Sequence, residues 1–106
     1  MIPEQLQNTI VRRIRDSFDP DQIILFGSHA RDSADDRSDI DLMIVKSGVQ
    51  HRRNAAVQVY RALKGLGLPV DVKVTTPEIM EEYRDCWHLV YHDVAKEGQV
   101  IYERGQ

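Results

Sequence analysis

The sequence predicts an α/β domain, a short mixed β-sheet flanked by helices, and reads as one domain over residues 1–106. Apolar runs at 23–26 and 40–45 have strand length, and residues 69–74 alternate in the two-residue period of a strand. Between and around them lie stretches with helical spacing, closed by Gly or Pro. The order reads as αβαβαβ with short helices after it.

The first helix rests on Ile2, Leu6, Ile10, Ile14 and Phe18, one apolar stripe with Val11 beside it and Pro3 in the first turn. Asp19-Pro20-Asp21 ends it, and Ile23-Ile24-Leu25-Phe26 follows as a buried strand stopping at Gly27. Residues 32–38 are polar and turn-rich, a loop carrying Asp32, Asp35 and Asp36 as solvated surface. The strand at 40–45 is polar only at its entrance. From 51 to 64, Ala56, Val59, Tyr60 and Leu63 mark a helical face, closed by Gly65 and Gly67. In the third strand Val70, Val72 and Val74 point one way, Asp71 and Lys73 the other. Thr76-Pro77-Glu78 caps and opens a helix running toward Arg84. Residues 87–96 form another helix ending at Gly98, with Trp87, Val90, Tyr91 and Val94 mainly as core and an exposed part of that stripe, or of the first helix, as a candidate partner surface; Val100-Ile101-Tyr102 adds a last short strand.

With 42% hydrophobic and 29% charged residues the chain has the composition of a soluble globular protein. Its net charge of −3 argues against an electrostatic footprint for duplex nucleic acid. The lone Cys86 has no intrachain partner, no run approaches the ~20 apolar residues of a membrane span, and residues 1–5 lack a signal pattern. The expectation is a cytoplasmic protein.

The chemistry concentrates in Gly27-Ser28-His29-Ala30-Arg31 and Asp39-Ile40-Asp41-Leu42. A tight glycine turn after a strand offers N–H groups to phosphate. Asp39 and Asp41, two apart on a strand, project from one face roughly 7 Å apart, and their repulsion is relieved by a divalent cation. Should the third strand be a neighbour, Asp71 completes a carboxylate triad. Three carboxylates can hold two Mg²⁺ ions ~3.5–4 Å apart, the arrangement for in-line phosphoryl transfer. Taken singly, each aspartate is a solvated strand residue; the combination points to a metal–nucleotide site. Arg31 can reach phosphate or pair with the acidic loop, and Lys73 can offset charge beside Asp71 or serve as surface. Asp85, His88 and His92 have i, i+3, i+7 spacing, yet an exposed polar helix face explains them better than zinc. Ser28-His29 lacks the elbow of a hydrolase nucleophile.

Gly27-Ser28, ten residues, then Asp39-x-Asp41 resembles the signature of the DNA polymerase β-like nucleotidyltransferase superfamily. Residues 26–31 (Phe-Gly-Ser-His-Ala-Arg) with 38–42 (Ser-Asp-Ile-Asp-Leu) look like its smallest branch, the minimal nucleotidyltransferases (MNT). Val70-Asp71-Val72 matches the usual third carboxylate, and residues 92–102 are similar to the family's tail. The resemblance implies the nucleotidyltransferase fold, ATP as substrate and two Mg²⁺ ions as cofactors. Gly27 and Ser28 would then bind the triphosphate, Asp39 and Asp41 both metals, and Asp71 the second metal and the acceptor hydroxyl.

Minimal nucleotidyltransferases of this kind resemble the antitoxins of type VII HEPN/MNT toxin–antitoxin pairs. That implies transfer of AMP from ATP to a tyrosine hydroxyl of a HEPN ribonuclease toxin, in a hetero-oligomer. Two other readings stand beside it: an antitoxin that neutralises by binding alone, and nucleotidyl transfer to a small-molecule or RNA hydroxyl.

Overall fold

The computed structural model describes residues 2–35 and 38–105; Asp36 and Arg37 of the expected acidic loop lie outside the described residues. Helix α1 (Glu4–Phe18) buries Ile10, Ile14 and Phe18, the predicted every-fourth-residue stripe. Pro3 occupies its N-cap, and Asp19, with φ 51°, turns the chain out of the helix in the left-handed conformation. Strand β1 (Gln22–Phe26) leads into a 3₁₀ turn at Gly27–His29, then β2 (Ile40–Val45), α2 (Arg52–Ala62), β3 (Val70–Thr75), α3 (Pro77–Tyr83), α4 (Val90–Glu97) and β4 (Gln99–Glu103).

Among the described residues no α-helix separates β1 from β2, only the 3₁₀ turn at Gly27–His29, which corrects the αβαβαβ order. The polar segment between them supports a turn and loop only, so β2 runs back antiparallel along β1. From β2 the chain crosses over through α2 and β3 pairs parallel with β2, as a helical crossover permits. The last strand, β4, adds antiparallel to the other side of β1. The sheet order is β3-β2-β1-β4, a mixed sheet of four strands.

Alternation along the strands divides the core into two layers. Ile23, Leu25, Leu42, Ile44, Val72 and Val74 face α1 and α2, packing with Ile10, Ile14, Val59 and Leu63. Ile24, Phe26, Met43 and Val45 face the other way, against Val94 of α4 and the partly buried Met80, Val90 and Tyr91. The cover of this second face is short. It ends before the first residues of β2 and β3, and there Asp41 and Asp71 stand.

Two residues expected in the core lie elsewhere. Trp87 is 79% exposed, because residues 87–89 form a turn and α4 begins only at Val90. The same break takes Asp85 and His88 off any shared helix with His92, removing the one-face spacing. Tyr60 is 41% exposed; α2 buries Ala55, Val59 and Leu63 and turns Tyr60 toward the sheet edge.

Gly98 joins α4 to β4 with φ −66°, a conformation any residue adopts, so its reason is space. A Cβ there would stand 2.4 Å from the Val94 carbonyl oxygen and 2.6 Å from Ile24 Cγ2. Gly98→Ala must therefore push the α4–β4 connection off the sheet. The expected loss is about 1–3 kcal/mol, measured as a lower midpoint in urea at unchanged m-value.

Candidate active site

The antiparallel register of β1 and β2 sets Phe26 opposite Asp41, so the chain leaves β1 beside that carboxylate. Gly27 follows with φ 73°, left-handed backbone that favours glycine. A Cβ at Gly27 would lie 2.2 Å from Asp41 Oδ2. Both the turn and the approach of the carboxylate thus require a residue without a side chain.

The turn is held from several sides. The N–H groups of Ala30 and Arg31 donate to the Gly27 carbonyl at 3.1 Å each, and Ser33 N–H donates to the Ser28 carbonyl at 2.9 Å. Gln99 Nε2 on β4 donates to the Ala30 carbonyl at 3.0 Å. The His29 ring (Nε2) lies 3.2 Å from the Ser38 carbonyl oxygen, tying the turn to the residue before Asp39. At its start such a turn leaves N–H groups without an acceptor inside the turn, so the Ser28 end is suited to an anion.

Parallel pairing makes Asp41 and Asp71 direct register partners, on the same sheet face. Asp39 is exposed just before β2, close enough for its charge to act on Asp41. Asp71 Oδ2 lies 3.5 Å from Lys73 Nζ, both side chains being nearly half exposed. Lys73 therefore does offset charge beside Asp71 while remaining at the surface. Asp71 Oδ1 is 3.4 Å from the Tyr60 hydroxyl, a neighbour that strand periodicity gave no means of finding. Arg31 pairs with Glu97 on α4 at 2.9 Å, a partner outside both sequence expectations.

Among the described residues no three carboxylate, His or Cys side chains converge into a preformed metal cage. The donor set fits a different mode. Mg²⁺ keeps several waters and is bound by one or two carboxylates together with substrate phosphates. Adjacent Asp41 and Asp71, with Asp39 at the rim, match that sharing.

Asp41 shows the strain of this arrangement. Burial pushes its carboxyl above the ordinary carboxylate value, and the charges of Asp71 and Asp39 push the same way, against smaller opposing effects from Lys73 and His29. A raised carboxyl holds its proton in the folded chain at pH values where the unfolded chain has released it. Stability from this group is therefore greatest below the unfolded value and falls as pH rises through the folded one. Asp41→Asn removes the ionisation, so it should raise Tm at pH 7 and low salt by about 2–5 °C. The gain should vanish near about pH 3, where the wild-type carboxyl is protonated in both states. Thermal melts of the two proteins across pH measure it.

Residues 8–106 match the family model described as Polymerase beta, Nucleotidyltransferase. A search of curated protein sequences finds no match. Among solved structures, the chain is similar to a chain of a toxin–antitoxin complex with AMP-PNP, at 19% identity and TM-score 0.67, covering 94% of this chain and 75% of that one. It is similar also to a Sulfolobus solfataricus protein described as a candidate nucleotidyltransferase, at 24% identity and TM-score 0.67, covering 94% and 79%. A third likeness is to a chain in the complex of a tri-AMPylated Shewanella oneidensis HEPN toxin with an MNT antitoxin, at 17% identity and TM-score 0.61, covering 94% and 71%. At these identities the likeness is one of fold. The family model spans nearly the whole sequence and includes Gly27, Ser28 and all three aspartates, and the chain belongs to the polymerase β nucleotidyltransferase family.

Proposed function

We propose that this chain transfers AMP from ATP to a tyrosine hydroxyl of a HEPN ribonuclease toxin and thereby acts as its antitoxin. The observation that carries the reading is the meeting of the Gly27-Ser28 turn with register-paired Asp41 and Asp71 at the uncovered end of the sheet. The fold shared with chains of toxin–antitoxin complexes, one with AMP-PNP and one with an AMPylated HEPN toxin, supports the choice of nucleotide, acceptor and partner.

Each residue has a role its surroundings allow. The Ser28 hydroxyl and the N–H groups of the turn bind the terminal phosphates, and Gly27 lets them approach. Asp39 and Asp41 would hold both Mg²⁺ ions, with Asp71 completing the second site. When bound, the ions neutralise phosphate charge and favour attack of an oxygen on the α-phosphorus. Asp71 orients the acceptor hydroxyl and takes its proton. The oxygen–phosphorus bond forms as the bond to the β-phosphate breaks, and pyrophosphate leaves. The AMP left on the tyrosine adds bulk and negative charge beside an RNA-cleaving site, which repels a polyanionic substrate.

A binding antitoxin is the second reading, favoured by Val57, Leu68 and Trp87, large apolar side chains between 44% and 79% exposed. Aspartate variants separate the two. Incubated with a cognate HEPN toxin and labelled ATP, the wild type should label the toxin. The Asp39→Asn/Asp41→Asn variant should lose at least about a hundredfold of that rate and fail to protect cells. Equal protection by the variant would favour binding alone.

Arg31 supplies a further test. Its guanidinium is engaged by Glu97 at 2.9 Å across a half-exposed pair. Glu97→Gln releases it toward the phosphates. Binding of a non-hydrolysable ATP analogue should tighten about two- to fivefold by calorimetry, the scale of a surface ion pair.

A further inference from the structure

We propose that Tyr60 is a positioning residue for Asp71, fixing the carboxylate that would face the acceptor hydroxyl; this rests on the nucleotidyltransferase reading above. Strand β3 is an edge strand, so its outward N–H groups have no neighbouring strand to bond. Tyr60 reaches over from α2 and covers that edge. Its hydroxyl oxygen accepts from Val72 N–H at 2.8 Å and lies 3.4 Å from Asp71 Oδ1.

The polarity of this pair is forced. A backbone N–H can only donate, so it takes a lone pair of the tyrosine oxygen. The hydroxyl proton is then left for the Asp71 Oδ1 acceptor at 3.4 Å. Lys73 Nζ attends the other carboxylate oxygen, Oδ2, at 3.5 Å. Asp71 is thus gripped at both oxygens, by one contact anchored to the backbone of the next residue and one from a flexible ammonium.

Capping the edge would need only the acceptor half of the hydroxyl. Its proton, directed at Asp71, is the part the edge does not explain. Carboxylate orientation matters here because a second Mg²⁺ and an acceptor hydroxyl both need a defined lone-pair direction from Asp71. The Tyr60 hydroxyl hydrogen-bonds Asp71 and Val72 and neither Asp39 nor Asp41, and it approaches β3 from the edge farther from β1. Loss of the hydroxyl should therefore act on one metal and on the chemical step while leaving nucleotide affinity alone.

Tyr60→Phe keeps the ring and removes the hydroxyl. With a non-hydrolysable ATP analogue present, Mn²⁺ titration followed by electron paramagnetic resonance should show two sites in the wild type. The variant should keep the tighter site and weaken the other about tenfold, an equilibrium change of about 1.4 kcal/mol. In transfer assays kcat should fall by a similar factor while KM for ATP stays within about twofold. Ile14→Ala opens a cavity under α1 and leaves α2 its own hydrogen bonds and the Tyr60 hydroxyl in place; it should lower Tm and leave the weaker Mn²⁺ site intact. Unchanged Mn²⁺ binding in Tyr60→Phe, or the same loss in Ile14→Ala, overturns the proposal. Should the wild type transfer no AMP to protein, the functional reading fails, and the Mn²⁺ titration still decides the role of Tyr60.

Discussion

The close approach of Asp41 to Gly27 is the contact on which the site depends. A missing side chain at one residue makes room for a carboxylate oxygen from the neighbouring strand, and the left-handed backbone there turns the chain into its 3₁₀ turn. Antiparallel pairing of β1 and β2 creates the approach, since Phe26 opposite Asp41 leaves Gly27 as the next residue out. The Gly27 turn and the Asp41 carboxylate are therefore parts of one backbone arrangement. A change in register would separate them, because a one-residue slip sends every side chain of a strand to the opposite face.

The same arrangement sets electrostatics against stability. Asp41 is partly desolvated, with Asp71 beside it in register and Asp39 two residues earlier. Folding must hold these charges together, with Lys73 and His29 opposing them. What compensates lies at the other end of the strands, where Leu42, Met43, Ile44 and Val45 are all buried and α1, α2 and α4 close over them. The stiff apolar part of β2 thus carries its own charged entrance. In the proposed reaction a cation brought by the nucleotide would relieve repulsion that is already built.

Much of this was legible in the sequence, for local reasons. The strand at 40–45 has its predicted bounds because its entrance is polar and its interior continuously apolar, and the helix at Pro77 starts where Thr76 accepts from Ile79 N–H at 3.2 Å. The turn at Gly27 and the places of Asp41 and Asp71 at strand entrances follow from turn and alternation rules that act over a few residues. Errors arose where the answer is tertiary. Apolar spacing over 87–94 is compatible with one helix, yet the chain turns at 87–89 and Trp87 emerges into solvent. Tyr60 continues an apolar face by spacing, and only the position of β3 at the sheet edge gives its hydroxyl a use. Arg31 finds Glu97, sixty-six residues away, a pairing no local pattern contains.

Incomplete cover of the second sheet face turns a structural surface into a chemical one. Along β2 the residues on that face run Asp41, Met43, Val45, and along β3 they run Asp71, Lys73, Thr75, with register pairing each to each. Within two residues the face passes from carboxylates to a buried Met43, because α3 and α4 pack over Met43 and Val45 and stop short of the strand entrances. Extending that cover by one helical turn would bury Asp41 and Asp71 without a solvent path, and burying unpaired carboxylates is costly enough that they would be held neutral. Neutral carboxyls bind neither metal nor the proton of an acceptor hydroxyl. The length of α4's cover thus belongs to the site as much as the aspartates do, since it leaves Asp41 and Asp71 partly open to solvent on strands whose other ends are buried.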